Sequence, residues 1–273
     1  MANELTTVKF ELAAGFEELD EELKAELEDE LSDLVPDTGI DCKKIKVKNG
    51  GMFTIETDDE KKPEKATEIE GVMIFTHRSN GYWSQDYGTG ENQAPDCMSM
   101  DGKQGVVLET GEIRECEHCP YNQYGTDKQG RGKACKNTRR IYLLLSGKQD
   151  PYLLSVPPTS MRDVNKQLSR IMGRTKTPYT RMVLKFSLEN VTNKVGMEYS
   201  KIVVEQVGVL PEEVFTKTAK LRAELKGQYK NIAMTADGFV ETPVQQTGPD
   251  GFVNVDDVAQ GVAQGVEDEL PFN

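Results

Sequence analysis

The chain has 273 residues, with 33 Lys and Arg against 46 Asp and Glu and a formal net charge of −13 at pH 7. Its hydrophobic content of 37% is low for a fully packed chain, and no apolar run approaches the ~18 residues of a membrane span. The charge is unevenly placed: residues 1–70 carry −12, residues 71–235 carry +7 and residues 236–273 carry −8, so the mean does not exclude a polyanionic partner for the middle of the chain.

The first residues, Met-Ala-Asn-Glu-Leu, lack the basic and apolar regions of a signal peptide, so a cytoplasmic location is expected. Five cysteines in that setting read as thiols or metal ligands rather than a disulfide framework. Two histidines argue against a His-rich hydrolase centre.

Residues 1–39 are expected to form an acidic arm. Phe16, Leu19, Leu23, Leu27, Leu31 and Leu34 recur at three or four and predict a helix over 16–34, ended by Pro36 and Gly39. Its other faces are crowded with Asp and Glu. It is either a surface helix packed by its leucines or an arm that competes with nucleic acid for the basic centre.

Lys43–Lys48 and Met52–Thr57 flank Asn49-Gly50-Gly51 and predict a hairpin. Asp58 to Lys65 reads as a loop, Ile69–Thr76 as a buried strand, and Gly81 to Pro95 as irregular. Cys42 stands apart as a simple thiol.

Cys97, Cys116, Cys119 and Cys135 follow. Cys116-Glu117-His118-Cys119 is a C-x2-C knuckle, whose short span brings two thiolates to one ion, and Gly-containing polar loops lead to the other two. Four thiolates at tetrahedral geometry favour structural zinc with no open position for catalysis. A mixed site using His118 for one cysteine is the alternative, with an Fe–S cluster less favoured.

Residues 128–185 hold 14 basic residues against Asp150 and Asp163. Strands are predicted at Arg139–Leu145 and Tyr152–Val156, then a helix from Thr159 or Ser160 with Asp163 completing a capping box. Met161, Val164, Leu168, Ile171 and Met172 form its apolar stripe, opposite Arg162, Lys166, Arg170 and Arg174. Strands over Tyr179–Val191 and Gly196–Val209 and a helix from Pro211 complete the core. Single-strand binders combine cations with aromatic faces on which bases stack. The candidate nucleic-acid surface is Lys133, Lys136, Arg139, Arg140, Tyr142, Arg162, Lys166, Arg170, Arg174, Lys176, Arg181 and Lys185. Trp83 either stacks on a base or anchors its loop.

Residues 233–273 read as a disordered acidic tail, without a basic residue from Ala236 on and with Val-Ala-Gln-Gly repeated. The tail closes on Glu267, Asp268, Glu269, Leu270, Pro271, Phe272 and Asn273. This tip resembles that of bacterial single-stranded DNA-binding proteins, where acidic residues precede a Pro-Phe end; here Asn273 displaces the terminal carboxylate by one residue. A cysteine cluster, a strand-rich centre and an acidic tail together look like the single-stranded DNA-binding proteins of tailed phages. That resemblance implies an α+β chain whose OB-like core, residues 40–232, carries an inserted zinc loop at 97–135. It also implies a non-enzymatic protein that coats single-stranded DNA in replication or recombination, in the host cytoplasm if phage-encoded. Replication and recombination proteins would be recruited through the tip, no membrane is involved, and self-association along DNA is allowed. Two competitors remain: a zinc- or magnesium-dependent nuclease, although no phosphate-binding loop, H-E-x-x-H or nucleophile elbow is present, and an acidic zinc-containing regulatory protein.

Overall fold

Central strands that bury side chains on both faces organise the molecule, because both faces of their sheet are covered. The structure, a computed structural model, describes residues 6–13, 42–48, 50–59, 61–84, 94–148, 150–192, 196 and 198–228. It is mixed α+β and rich in strands. The strands are β1 (Lys44–Lys48), β2 (Met52–Ile55), β3 (Glu64–Ala66), β4 (Glu68–Tyr82), β5 (Cys97–Ser99), β6 (Gln104–Val107), β7 (Ile113–Glu115), β8 (Lys136–Leu145), β9 (Tyr152–Val156), β10 (Met182–Thr192) and β11 (Glu198–Val209). The helices are α1 (Pro158–Thr175) and α2 (Glu212–Gln228), with single 3-10 turns at Pro120–Asn122 and Tyr179–Arg181.

The strands run in the order β3-β2-β1-β9-β8-β4-β5-β6-β7, and β10 and β11 branch from β4. β1 and β9 are parallel; the other pairs are antiparallel. The 15-residue β4 is the hub. It pairs with β8 over Gly71–Gly81, with β10 over Glu68–Val72 and with β5 over Asn80–Tyr82. The predicted hairpin is present as β1 and β2, turned through Gly50 and Gly51 at positive φ.

On β8, Ile141, Leu143 and Leu145 enter one core while Tyr142 and Leu144 enter the other. The first core is closed by α1 through Val164, Leu168 and Ile171, with Met161 and Met172 packed against it. The second is closed by Leu225 of α2 and by Phe10, with Val8 and Leu12 alongside. Each large apolar side chain so buried contributes roughly 1.5–3 kcal/mol.

α1 also finishes the free edge of β11. The backbone N–H of Ile202 donates to Ser160 Oγ at 3.1 Å, and that of Val204 to Gln167 Oε1 at 2.7 Å. Buried edge donors need acceptors, and the helix supplies them. Ser160 is therefore not a helix cap. The helix starts at Pro158 behind Pro157, without a side-chain cap, and Asp163 pairs with Lys201 instead of closing a capping box.

β4 runs past the expected Thr76 boundary into the stretch read as irregular, and β3 lies at the end of the stretch read as a loop. The short strands β5, β6 and β7 were not anticipated. The helix over 16–34 and the tail with its tip lie outside the described residues. Among the described residues, no helix is long and apolar enough to cross a membrane.

Candidate metal centre and nucleic-acid surface

The four clustered cysteines come from four places in the insertion between β4 and β8. Cys97 opens β5, Cys116 follows β7, Cys119 precedes the 3-10 turn Pro120–Asn122, and Cys135 immediately precedes β8. Little apolar material holds these loops, so backbone hydrogen bonds do. The Cys116 N–H donates to Lys103 O at 2.7 Å and the Cys135 N–H to Tyr121 O at 2.8 Å. Asn122 Nδ2 donates to Cys116 O at 2.6 Å, and Gln123 Nε2 to Glu117 O at 2.8 Å. The stacked rings of Tyr82 and Tyr121, 4.2 Å apart at 18°, tie the knuckle to the end of β4.

All four cysteines line one cavity of about 20 Å³, together with Tyr82, Arg114 and Asn122. That is room for a single ion or water and far below the ~300 Å³ of an organic-ligand pocket. Burial raises the pKa of the Cys97 thiol, and Cys116 and Cys119 raise it further. Burial pushes the Cys135 thiol up to about 12, with Cys116, Cys119 and Cys97 adding to the effect. Thiols that raise one another's pKa would ionise together only around a central cation. The soft donor set and the cavity size fit a tetrahedral zinc ion. As they stand, no three His, Cys, Asp or Glu side chains among the described residues converge at ion-binding distance. His118 is exposed, does not line the cavity, and places Nδ1 3.3 Å from Glu115 Oε2. Cys42 is buried in the second core, apart from the cluster.

The expected cations fall into three groups. Arg162, Lys166, Arg170 and Arg174 are exposed on α1 at intervals of four, forming a row roughly 18 Å long at the α-helical rise. Lys176, at the left-handed C-cap, extends it. None of these five enters an ion pair among the described residues, and Asp163, the one acid on α1, is held by Lys201 Nζ at 3.1 Å. A second group sits at the insertion. Lys136 is half-buried at the start of β8, and Lys133 Nζ stands 5.1 Å from the ring centroid of Tyr124, which is 82% exposed.

The third group is drawn into the fold. Arg140 and Tyr142 were expected on the surface but are 1% and 0% exposed, on the face of β8 covered by the second core. Neither presents its side chain to a ligand. The Tyr142 hydroxyl lies 3.1 Å from His77 Nε2, and the rings of Phe75, His77 and Tyr142 stack. Tyr152 and Phe186 are likewise core residues. Lys185 is neutralised by Glu205 at 2.9 Å and Glu68 at 3.7 Å. Arg181 bonds to Glu212 and lies over the Phe215 ring, in a 3-10 turn rather than on the expected strand. Arg139 is half-buried, with Nη1 donating to Thr76 Oγ1 at 3.2 Å. Trp83 is half-buried against the second core.

Counting charge along the sequence missed Arg78, which lies outside the basic stretch yet faces Arg139 across β4 and β8. The pairing of these strands could not be read from spacing. The residues of the tip, Glu267 to Phe272, lie outside the described residues.

Searches against protein-family models, curated proteins and solved structures find no match to this chain.

Proposed function

We propose that this chain binds single-stranded DNA through a cationic surface, with a structural zinc ion bracing the insertion beside it. The observation that carries the reading is the row Arg162, Lys166, Arg170, Arg174 and Lys176. Among the described residues of a chain of net charge −13, these five cations on α1 and its C-cap enter no ion pair, and the one acid of α1 is engaged by Lys201. Such a row neutralises phosphates, which gives affinity without sequence preference and a steep dependence on salt.

The strand order supports an OB-like reading. β4, β8 and β9, then α1, then β10 and β11 follow one another with β4 shared between β8 and β10. In that reading the β1–β2 hairpin occupies the side where the third and fifth strands of a barrel would meet. The cysteine-rich insertion then falls in the loop between first and second strands, one of the loops OB folds use on oligonucleotides. Cys97, Cys116, Cys119 and Cys135 would hold the zinc, whose closed coordination supplies folding energy to the loop and no catalysis. Recruitment of replication or recombination proteins through Glu267 to Phe272 belongs to the same proposal.

The test is titration of the zinc-loaded full chain with fluorescent single- and double-stranded oligonucleotides at two salt concentrations. Tighter binding of the single strand, weakening steeply with salt, is expected. Replacing Arg162, Lys166, Arg170 and Arg174 by Gln should flatten the log–log salt slope by roughly 3, at about 0.7 per phosphate contact. A chain that binds neither form, or binds without regard to α1, overturns the reading.

A further inference from the structure

Along one side, β4 pairs with β10 only as far as Val72 and with β5 only from Asn80. Between them no strand lies beside it among the described residues, and β4 is also touched by the 3-10 turn Tyr179–Arg181 and by α2. Arginines gather at this gap. Arg78 on β4 is directly opposite Arg139 on β8, so the two share one face of the sheet. Like charges in that position destabilise a strand pair unless a counter-charge joins them. No ion pair among the described residues includes either arginine, although the chain holds 46 acidic residues. Arg139 Nε is buried and has no acceptor. Its guanidinium is depressed by burial and then by Arg78, while nearby Tyr179 acts the other way.

The turn that carries Tyr179 meets α2, since Arg181 and Arg222 both lie over the Phe215 ring, and Arg139 and Arg222 both act to lower the pKa of the Tyr179 hydroxyl. Arg222 is held in place, with its guanidinium 4.3 Å from the Phe215 ring centroid and Nη1 donating to Phe215 O at 3.2 Å and Thr218 Oγ1 at 2.8 Å. Arg139 and Arg222 thus flank one half-buried tyrosine, and Arg78 faces Arg139.

We infer that Arg78 and Arg139, facing each other across β4 and β8, together with Arg222 beyond Tyr179, form a binding site for consecutive phosphates of a nucleic-acid single strand, separate from the α1 row. This site rests on the reading of the chain as a single-strand binder and names where the strand is gripped. The anion supplies what the fold withholds: a counter-charge beside Arg78 and Arg139. Phe215 is a positioning residue that fixes Arg222.

The experiment compares the full chain with Arg78→Gln, Arg78→Gln/Arg139→Gln and Lys65→Gln by anisotropy of fluorescein-labelled oligo(dT) across a salt series. Lys65, exposed on β3 at the other end of the sheet, matches the loss of one charge without touching the cluster. Arg78→Gln should weaken binding several-fold and lower the salt slope by about 0.7, and the double variant should lower it by about twice that. Arg78→Gln should also melt at the same temperature as the parent or higher in low salt, because it relieves a like-charge pair. If Arg78→Gln binds like Lys65→Gln while the unaltered chain binds well, this site is wrong and the broader reading stands. If the unaltered chain binds no oligonucleotide, both fall. Equal binding of polyglutamate with the same dependence on Arg78 would overturn nucleic acid as the ligand.

Discussion

A Cβ atom on Gly105 would stand 3.0 Å from Cys97 Sγ and 3.7 Å from Cys116 Sγ. The glycine on β6 therefore forms the wall against which two of the four sulfurs rest. With Ala in its place, Cys97 has to move by a few tenths of an ångström in a cavity no larger than an ion. Gly105→Ala is expected to lower zinc affinity by about ten-fold, the lower end of effects from groups next to metal ligands. Competition with a chromogenic chelator measures this. Unchanged affinity would mean that the sulfurs do not converge beside Gly105.

The central strands were legible because their composition leaves few alternatives. Ile141 to Leu145 is an unbroken apolar run, and a strand covered on both faces needs one. The same property hid the fate of Arg140 and Tyr142. Alternation on a half-exposed strand would have marked them as outward, but here the outward face is covered by Phe10 and Leu225 from the two ends of the described chain. The four cysteines were legible from spacing because a knuckle is a local motif. The strands that carry them were not, since β5 and β7 have three residues each and are held by backbone bonds rather than apolar pattern. Arg78 escaped for a third reason: its significance depends on strand register, which composition does not encode.

His77 gives the fold a pH dependence. It is 8% exposed, and burial, then Arg140, lower its pKa from 6.5 to about 4. The unfolded chain takes up a proton below about 6.5, whereas the folded chain resists until about 4. Stability is therefore complete above pH 6.5 and lost as pH falls between these values, by roughly 2–3 kcal/mol at pH 4.5. Urea unfolding of the parent and of His77→Gln at pH 7 and pH 4.5 isolates this contribution. The loss between the two pH values should be smaller by that amount in the variant; an equal loss in both proteins refutes the assignment.

Tyr142 separates a structural role from a ligand-stacking one. Its ring is fully buried and its hydroxyl meets His77 Nε2 at 3.1 Å. Tyr142→Phe should cost about 1 kcal/mol for the lost hydrogen bond, and Tyr142→Ala about 3–5 kcal/mol. Oligonucleotide affinity of folded Tyr142→Phe should match that of the parent. A ten-fold loss of affinity without loss of stability would return Tyr142 to the binding surface.

Residues 236–273 carry eight acidic residues and no basic one, while the four cations of α1 and Lys176 at its C-cap enter no ion pair among the described residues. Opposite charges on one chain meet at a high effective concentration, so the acidic segment is expected to compete with an oligonucleotide for the row. Removing 236–273 is expected to tighten oligonucleotide binding several-fold at low salt. The gain should shrink as added salt screens the attraction within a Debye length of about 10 Å at 0.1 M. Anisotropy titrations of the full and shortened chains at about 20 mM and about 200 mM salt, on either side of that screening range, provide the comparison. Identical affinities at the lower concentration would show that the acidic segment does not reach the cations. A gain that persists undiminished at the higher one would point to a non-electrostatic contact.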